Sequence, residues 1–474
     1  MTTRTTDQGI VIYDSGDPAT ILGKGMPVGD TVDAALKRYA ATVAQANTAR
    51  DQAVAAAAQA AINAGSAAGD PATSAAISSL VSGKIGRTDL HVDVQRTYTV
   101  PIDGVVDARA SLNTAFNANA GRRMLLGAGV YYLTSRINTI GQGTIIEGLS
   151  PAQTILDVAG AAFAVTSNDV LVRNVTIRGY SGAKNKSLFQ AAAAANFKNW
   201  RFENCVFDGV AAIVAAIGAV NYITGTAIAA GSSEATGIGS FIEFDHCEFK
   251  NTTLDGGGVY AKGVLSLTIN RCWFHNMGTS TGAGDMVKMA YSSEDWRILD
   301  SIFEDGTRDA IDTFDGRRGT IRGNTMRRMQ VHAIEVKCNA PTSGTVDRIL
   351  VDGNRSYSCS LSSATTPVFQ MAAPYLQVVN NYSEASGGLG FRSGKMLDGV
   401  TPVKGVIFAN NMAMGSQGSG FLATGTDYGQ WRGNYSEGSV AGKGFDVPTA
   451  SNTHRQGDAT TNQSVGNAVA DTWT

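Results

Sequence analysis

Apolar strands that end in a pair of polar or small residues recur along the chain. One copy reads RFENCVF at residues 201–207, and another reads INRCWF at residues 269–274. The pairs start at residues 204, 246, 271, 300, 323, 353, 380, 410 and 433, so neighbouring copies lie 23 to 42 residues apart. Repeats of this length are typical of solenoid proteins, in which each copy forms one coil.

The two members of each pair predict a sharp corner and a hydrogen-bonded ladder. Most first members are Asn, Asp or Gly, which accept the positive φ angle that a tight turn needs. Most second members are asparagines, and coils about 4.8 Å apart would let each amide bond to the next. The predicted ladder comprises Cys205, Cys247, Cys272, Ser301, Asn324, Asn354, Asn381, Asn411 and Asn434.

Alternation along the flanking strands predicts the core, because successive side chains of a strand point to opposite faces. The inward positions include Phe202, Phe207, Ile269, Phe274 and Phe303. The repeats therefore predict an all-β fold, a parallel β-helix over residues 98–457, followed by a C-terminal tail at 458–474.

A second set of short apolar strands lies between the corners and carries most of the candidate chemistry. It includes VYAK at 259–262, VKMA at 287–290, IDTF at 311–314 and IEVK at 334–337, with later members at 389–392, 421–423 and 445–447. The second and fourth residues of each strand should face outward. The two outward columns are Tyr260, Lys288, Asp312 and Glu335, and Lys262, Ala290, Phe314 and Lys337.

Asp312 and Glu335 are the leading catalytic candidates. Adjacent coils would place their carboxyl groups side by side, with Asp309 flanking the strand. Neighbouring carboxylates resist ionising together, so one pKa can rise enough for a general acid while the other group remains a base or nucleophile. Glycoside hydrolysis needs these two roles.

Other residues around this pair are expected to bind substrate. We expect this of Lys288, Tyr260, Lys262 and Phe314, and of His332, which is also the candidate proton shuttle. Arg308, Arg317 and Arg318 are further candidates, and Tyr291 and Trp296 lie near the outward aromatics. A surface ladder without chemistry is the alternative, because the signs of Lys288, Asp312, Glu335 and Lys337 already balance.

The region before the repeats predicts three further parts. Residues 1–30 contain loop and turn signals and predict an extended arm. Residues 31–68 are Ala-rich with apolar positions at a heptad spacing, which predicts a self-associating coiled-coil helix. Residues 69–97 form a neck. A single Ala-rich helix packed along another protein is the alternative to self-association.

The segment 98–133 joins these parts to the repeats and carries a resemblance. It contains a DGVVD turn at 103–107, a predicted helix at 111–120 and GAGVY at 127–131. This order is similar to the entry of bacteriophage tailspike and tail-fibre proteins, whose body is the right-handed parallel β-helix of the pectate-lyase superfamily. The helix would cover the open end of the solenoid.

The resemblance implies a function and partners. Tailspikes are homotrimers in the virion tail, attach through the N-terminal region to other tail or baseplate proteins, and contact host cell-surface polysaccharide. Lyases on this fold use a Lys or Arg as base, often with calcium, which implies Lys337 as base and Asp309, Asp312 and Asp315 as calcium ligands. A non-catalytic adhesin is the remaining alternative, and a secreted pectinase is disfavoured because no signal peptide is evident.

Composition argues against several classes of partner and site. A net charge of −2 gives no reason to expect nucleic acid as a partner. Five cysteines without C-x-x-C spacing predict neither a disulfide framework nor a zinc site. The most apolar run, 211–220, is shorter than the ~20 residues of a membrane span, so we expect no span and synthesis in the host cytoplasm. The Ala-rich insertion at 209–240 is long enough to shape a binding groove.

Overall fold

The computed structural model describes most of the chain from residue 91 onward. The described ranges are 3–5, 10–13, 22–23, 91–135, 137, 140–159, 163–165, 168–179, 189–191, 197–209, 239–251, 258–262, 264–278, 285–290, 293–338, 348–447, 462–465 and 472–473. The chain divides into two compact units, Met1–Arg87 and Thr88–Thr474. The predicted coiled-coil helix at 31–68 and most of the insertion at 209–240 lie outside the described residues.

The first unit contains a small antiparallel sheet. Its strands are Thr3–Thr5, Ile10–Tyr13 and Leu22–Gly23, in that spatial order. Arg4 pairs with Ile12, and Val11 pairs with Leu22. The extended arm predicted for residues 1–30 therefore folds back on itself at these strands.

Three parallel sheets form the solenoid in the second unit. Sheet 1 contains the strands before each corner: His91–Asp93, Arg123–Leu126, Ile145–Gly148, Val170–Arg173, Phe197–Glu203, Gly239–Asp245, Val264–Asn270, Arg297–Leu299, Thr320–Arg322, Leu350–Asp352, Gln377–Val379, Ile407–Ala409 and Gln430–Arg432. Sheet 2 contains the strands after each corner: Asp103–Asp107, Gly129–Leu133, Thr154–Val158, Thr176–Gly179, Val206–Asp208, Glu248–Lys250, Trp273–Met277, Ile302–Gly306, Thr325–Arg327, Arg355–Tyr357, Tyr382–Glu384, Met412–Met414, Tyr435–Glu437 and Gln463–Val465. Each strand pairs with its counterpart in the next coil, as a solenoid requires.

Sheet 3 contains the second set of strands. They are Val259–Lys262, Val287–Ala290, Ile311–Phe314, Ile334–Lys337, Pro367–Ala372, Leu389–Ser393, Phe421–Ala423, Phe445–Val447 and Thr472–Trp473. Short parallel pairs also join Phe163–Val165 to Phe189–Ala191 and Val403–Lys404 to Thr426–Asp427. The strand Pro367–Ala372 and the final strand were absent from the sequence prediction.

The predicted corners are confirmed at all nine positions. Every first member of a pair has a positive φ, between 47° and 70°: Asn204, His246, Arg271, Asp300, Gly323, Gly353, Asn380, Asn410 and Gly433. Asn174, at φ 58°, forms an earlier corner of the same kind. The chain thus turns from sheet 1 to sheet 2 where the sequence pattern places the turn.

The ladder beside the corners is buried and runs in one direction. Asn354 donates its backbone N–H and its Nδ2 to Asn381 Oδ1 at 3.0 and 2.9 Å, and Asn381 donates in the same way to Asn411. Ser301 joins the ladder through its hydroxyl, which accepts the backbone N–H of Cys272 at 3.0 Å. The thiols of Cys205, Cys247 and Cys272 instead bond to backbone carbonyls.

Stacked aromatic rings fill the solenoid interior. Phe207, Phe249, Phe274 and Phe303 form one column, with ring centroids 4.4 to 4.8 Å apart. A second column lies on sheet 3 and comprises Phe369, Phe391, Phe421 and Phe445. The five inward residues named from the sequence are all buried, which confirms the alternation.

The solenoid extends beyond both predicted ends. His91–Asp93 already belongs to sheet 1, although residues 69–97 were assigned to a neck. At the other end, Asn434 donates to Asn462, and Gln463–Val465 and Thr472–Trp473 pair with preceding strands, although 458–474 was assigned to a tail.

Two helices lie near the start of the described solenoid. Val94–Tyr98 is short, and Arg109–Ala118 buries Leu112, Ala115 and Phe116 in the same core as the first coils. The second helix begins and ends two residues earlier than the predicted cap at 111–120. No helix within the described residues combines the length and apolar character that a membrane crossing requires.

Candidate functional site

The outer face of sheet 3 brings together the predicted polar column. Lys288 pairs in register with Asp312, and Asp312 pairs with Glu335. Lys337 lies opposite Phe314 and reaches back to Asp312, with its Nζ 3.1 Å from Oδ1. The register predicted from the repeats is therefore observed, and the column continues through Gln370 to Arg392.

Asp312 and Lys337 are buried although the sequence placed both residues at outward positions. Asp312 is 0% exposed and Lys337 is 9% exposed. Lys288 Nζ contacts Asp312 Oδ2 at 2.5 Å, and Lys337 also pairs with Glu335. Alternation correctly gives the side of the sheet, but the long side chains of adjacent coils cover the shorter carboxylate.

Two further aspartates complete the cluster. One carboxylate oxygen from each of Asp285, Asp309 and Asp312 lies within 4.8 Å of the others. Arg308 contacts Asp285 at 3.2 Å and Asp309 at 3.7 Å. Asp309 was a sequence candidate, but Asp285 was missed. A spacing signal existed, because Asp285, Asp309 and His332 each precede an outward residue by three positions.

Burial and charge divide the carboxyl groups into two kinds. Burial raises the pKa of Asp309 well above its usual value, and the nearby charges of Asp285, Glu335 and Asp312 add to that rise. Burial would also raise the pKa of Asp312, but Lys288 and Lys337 outweigh burial and hold that pKa below its usual value. The sequence analysis expected the split within the Asp312 and Glu335 pair. In the structure the raised pKa instead belongs to Asp309 and the lowered one to Asp312.

The cations of the cluster remain charged. Burial alone would lower the pKa of Lys288, but Asp312 and Asp285 raise it above its usual value. Asp312 and Glu335 likewise overcome burial and raise the pKa of Lys337. Burial and the charge of Asp312 raise the pKa of Asp285. A buried network of this density is costly unless its charges are paired, and each of these cations contacts at least one carboxylate.

His332 lies at the edge of the cluster. Its backbone N–H donates to Asp309 Oδ1 at 2.8 Å, and its Nδ1 donates to the Pro367 carbonyl at 2.5 Å. Its Nε2 lies 3.8 Å from Glu335 Oε1. Burial lowers the pKa of His332, which favours a neutral ring whose unprotonated Nε2 faces Glu335.

The three aspartates are the donors that could hold a cation in the described part of the chain, but their surroundings fit a resident calcium poorly. Lys288 Nζ lies 2.8 Å from Asp285 and 2.5 Å from Asp312, so an ammonium group already occupies the space between two of the three carboxylates. Asp315, the third ligand implied by the resemblance, does not belong to the group.

The remaining predicted residues have different outcomes. The side chains of Tyr260 and Lys262, and residue Tyr291, lie outside the described residues. Trp296 is fully buried in the core, so it is not an outward aromatic. Arg317 pairs with Glu294, and Arg318 pairs with Glu294 and Asp295, which removes both arginines from the cluster.

A separate groove of about 470 Å³ lies over sheet 2. Its lining includes Arg178, which pairs with Asp157 at 2.7 Å, and Lys250, which pairs with Glu248 at 2.9 Å. The charges of this groove are partnered at the protein surface, and no buried carboxyl group is among its lining residues. The groove therefore lacks the chemistry of the cluster on sheet 3.

Comparison with known proteins identifies the fold. A family described as right handed beta helix region matches residues 188–382. The A-module of the mannuronan C-5 epimerase AlgE4 from Azotobacter vinelandii is 13% identical, with a TM-score of 0.55 over 81% of this chain and 98% of that chain. The catalytic unit of a GH87 α-1,3-glucanase from Streptomyces thermodiastaticus is 15% identical, with a TM-score of 0.56 over 82% and 71% of the two chains.

A bacteriophage protein shares the same architecture. Pre-mature gene product 12 of bacteriophage phi29 is 12% identical, with a TM-score of 0.52 over 80% of this chain and 56% of that chain. A search of curated proteins found no match. At these identities the likeness concerns the fold alone. The solenoid described above is a right-handed parallel β-helix.

Proposed function

We propose that the cluster on sheet 3 binds a polysaccharide and hydrolyses its glycosidic bonds. One observation carries this proposal: neighbouring carboxyl groups of the cluster have pKa values shifted in opposite directions. Burial and nearby carboxylates raise the pKa of Asp309, whereas Lys288 and Lys337 lower the pKa of Asp312 and favour its ionised form. A general acid beside ionised carboxylates is the arrangement that glycoside hydrolysis requires.

The residues take distinct roles in this reaction. Asp309 donates its proton to the leaving glycosidic oxygen as the bond to the anomeric carbon breaks. Glu335, at 15% exposure the more accessible carboxylate, takes a proton from the water that attacks the anomeric carbon. Asp312 does not touch substrate and instead positions Lys288 and Lys337. The side chains of Lys288 and Arg308, which are 23% and 37% exposed, bind substrate, and movement of Arg308 away from Asp309 uncovers the acid.

The charge state of Lys337 favours hydrolysis over elimination. A lyase base must be a neutral amine, but Asp312 and Glu335 raise the pKa of Lys337 and keep it protonated near neutral pH. The polysaccharide-active proteins of the same fold are consistent with either chemistry, since their likeness does not extend to the site.

A non-catalytic adhesin is the second candidate. Its support is the near-complete burial of Asp309 and Asp312, at 1% and 0% exposure, which a structural ion-pair network would also produce. In that case the cluster would stabilise sheet 3, and the partly exposed side chains of Lys288 and Arg308 would contact the glycan without cleavage.

The test is depolymerisation of a panel of host-envelope polysaccharides, with reducing ends and the absorbance of unsaturated uronates measured together. New reducing ends without absorbance support hydrolysis, and both signals together support a lyase. Asp309→Asn and Glu335→Gln should each abolish cleavage, while Asp305→Asn, an exposed aspartate of sheet 2, should not. Binding without either signal would leave the adhesin.

We also propose that the chain is a homotrimeric tail protein of a bacteriophage. The heptad pattern at 31–68 and the order of arm, helix, neck and solenoid support this, and gene product 12 of bacteriophage phi29 has the same fold. Light scattering should give three times the mass of one chain. A monomer at micromolar concentration would contradict the trimer, and the same chain without residues 31–68 is the control.

A further inference from the structure

Arg392 lies on the outer face of sheet 3 without an acidic partner among the described residues. It pairs in register with Gln370, which pairs with Glu335 on the preceding coil. Its side chain is partly buried, and its hydrogen bonds are two long ones to Thr424 Oγ1, at 3.4 and 3.5 Å. Burial lowers the pKa of Arg392, and no neighbouring charge offsets that effect. A partly desolvated guanidinium without a counter-ion is unusual, because such charges are normally paired.

Polar groups converge beside Arg392 on a space that Gly394 leaves open. A Cβ on Gly394 would lie 3.3 Å from Gln370 Nε2, 3.7 Å from Arg392 Nε and 3.9 Å from Thr424 Oγ1. Gln370 Oε1 is buried and has no hydrogen-bond partner in the described structure. The three atoms nearest to that Cβ position therefore belong to an amide, a guanidinium and a hydroxyl.

These groups suit an oxyanion. A guanidinium presents parallel N–H groups that match the two oxygens of a carboxylate, and the amide and hydroxyl can donate to the same group. Partial burial strengthens the interaction, because water screens it less. We propose that Arg392, Gln370 and Thr424 form a subsite for a carboxylate group of an acidic polysaccharide, with Gly394 providing the room.

The position of the subsite connects it to the cluster. Arg392 lies two coils from Glu335 and three from Asp312, which is about 10 and 14 Å at the spacing of parallel strands. An oligosaccharide along the outer face of sheet 3 spans this distance. The inference rests on the proposed function only in assuming that the bound polysaccharide runs from Arg392 toward the cluster. Binding at Arg392 itself does not require cleavage.

Affinity electrophoresis in gels that contain a carboxylated polymer tests the subsite. The probes are polygalacturonate, alginate and hyaluronan, each beside its carboxyl-reduced form, with dextran sulfate as the sulfated probe. At least one carboxylated polymer should retard the protein, and its reduced form should bind about ten-fold or more weakly, the loss expected when a hydrogen bond to a charged group disappears. Failure of all three carboxylated polymers to bind, or equal binding of the reduced form, would overturn the proposal.

Four variants locate the effect. Arg392→Gln should weaken binding about ten-fold or more, and Arg392→Lys should weaken it less. Gly394→Ala keeps every charge but fills the space, so it should weaken binding like Arg392→Gln. Arg432→Gln removes an equal charge from an exposed position on sheet 1 and should bind normally. Unchanged binding by Arg392→Gln with a native circular dichroism spectrum, or preference for dextran sulfate over the carboxylated polymers, would also reject the carboxylate subsite.

Kinetics on a cleaved polymer separate the subsite from the proposed hydrolysis. Arg392→Gln should raise KM and leave kcat nearly unchanged, whereas Asp309→Asn should bind normally and lose kcat. If no polymer is cleaved but binding depends on Arg392 and Gly394, hydrolysis fails and the subsite stands. If cleavage occurs without dependence of KM on Arg392, the subsite fails and hydrolysis stands.

Discussion

Replacing Asp309 with asparagine should make the protein more stable at neutral pH. Asp309 is 1% exposed, and burial together with Asp285, Glu335 and Asp312 raises its pKa well above the ordinary value of 3.8. The native state therefore binds this proton more tightly than the unfolded chain does. Between pH 3.8 and the raised pKa, each pH unit lowers the free energy of unfolding by about 1.4 kcal/mol.

The asparagine side chain of the Asp309→Asn variant carries no such proton, so the variant avoids this loss. The stability that Asp309 contributes is complete below the unfolded pKa and is lost as the pH rises toward the folded pKa. The variant should match the wild type near pH 4, because an amide oxygen can still accept the His332 N–H that Asp309 Oδ1 accepts at 2.8 Å. Its advantage should then grow by up to about 1.4 kcal/mol per pH unit.

Urea unfolding at unit steps between about pH 4 and pH 7 measures this slope. Asp305→Asn is the control of opposite sign: Arg328 donates to Asp305 and lowers its pKa, so that variant should lose stability at neutral pH and match the wild type in acid. A flat difference for Asp309→Asn, or a loss that grows with pH, would refute the reasoning and show that Asp309 is an ionised member of a structural network. Stability gained while cleavage is lost would identify a group kept for function.

Three further predictions concern the ladder, the thiols and calcium. Asn381→Ala should lower the free energy of unfolding by about 2–4 kcal/mol, because Asn381 donates to Val351 O and Asn411 Oδ1 and accepts from Asn354. The control, Asn380→Gly at the exposed corner, should change the free energy of unfolding by less than about 1 kcal/mol. Equal effects of the two variants in urea unfolding would contradict the ladder's role. All five cysteines are buried, and burial raises the pKa of Cys338 to about 12. A thiol reagent should therefore label no cysteine in the native protein and all five after denaturation. Rapid labelling of the native protein would argue against this packing. The melting temperature should be the same with added calcium as with a chelator, because the Lys288 ammonium lies between Asp285 and Asp312. A higher melting temperature in calcium would show that these carboxylates bind the ion in place of Lys288.

The sequence predicts the corners and the register well because both depend on local rules that repeat. A residue that accepts positive φ marks each turn, and period-two alternation fixes the inward side, so Asp312 is placed beside Glu335 without any structure. The last coil could not be predicted from the repeat pattern, because Asn462 follows a threonine and no apolar strand precedes Asn462 in the sequence.

The protonation pattern could not be predicted because it depends on how far side chains reach between coils. Lys337 is two positions beyond Glu335 in the chain, yet its ammonium reaches Asp312 on the preceding coil. Asp285 precedes its strand in a segment without periodicity, so alternation did not bring it to the cluster, and only its three-residue spacing from Lys288 marks it. These contacts move the raised pKa from the predicted pair to Asp309.

Because the asparagine ladder repeats once per coil, the solenoid can be lengthened or shortened by whole coils. Each asparagine donates its backbone N–H and its Nδ2 to the amide oxygen of the next coil, and its Nδ2 also donates to a backbone carbonyl of the previous coil. The same set of bonds therefore repeats from one asparagine coil to the next. Removing residues 381–410 would bring Asn354 against Asn411 with the same bonds, whereas removing one residue within a strand would shift every inward ring. Gain or loss of entire coils thus offers a route to a longer or shorter glycan-facing surface, and the segments between strands are free to vary in length.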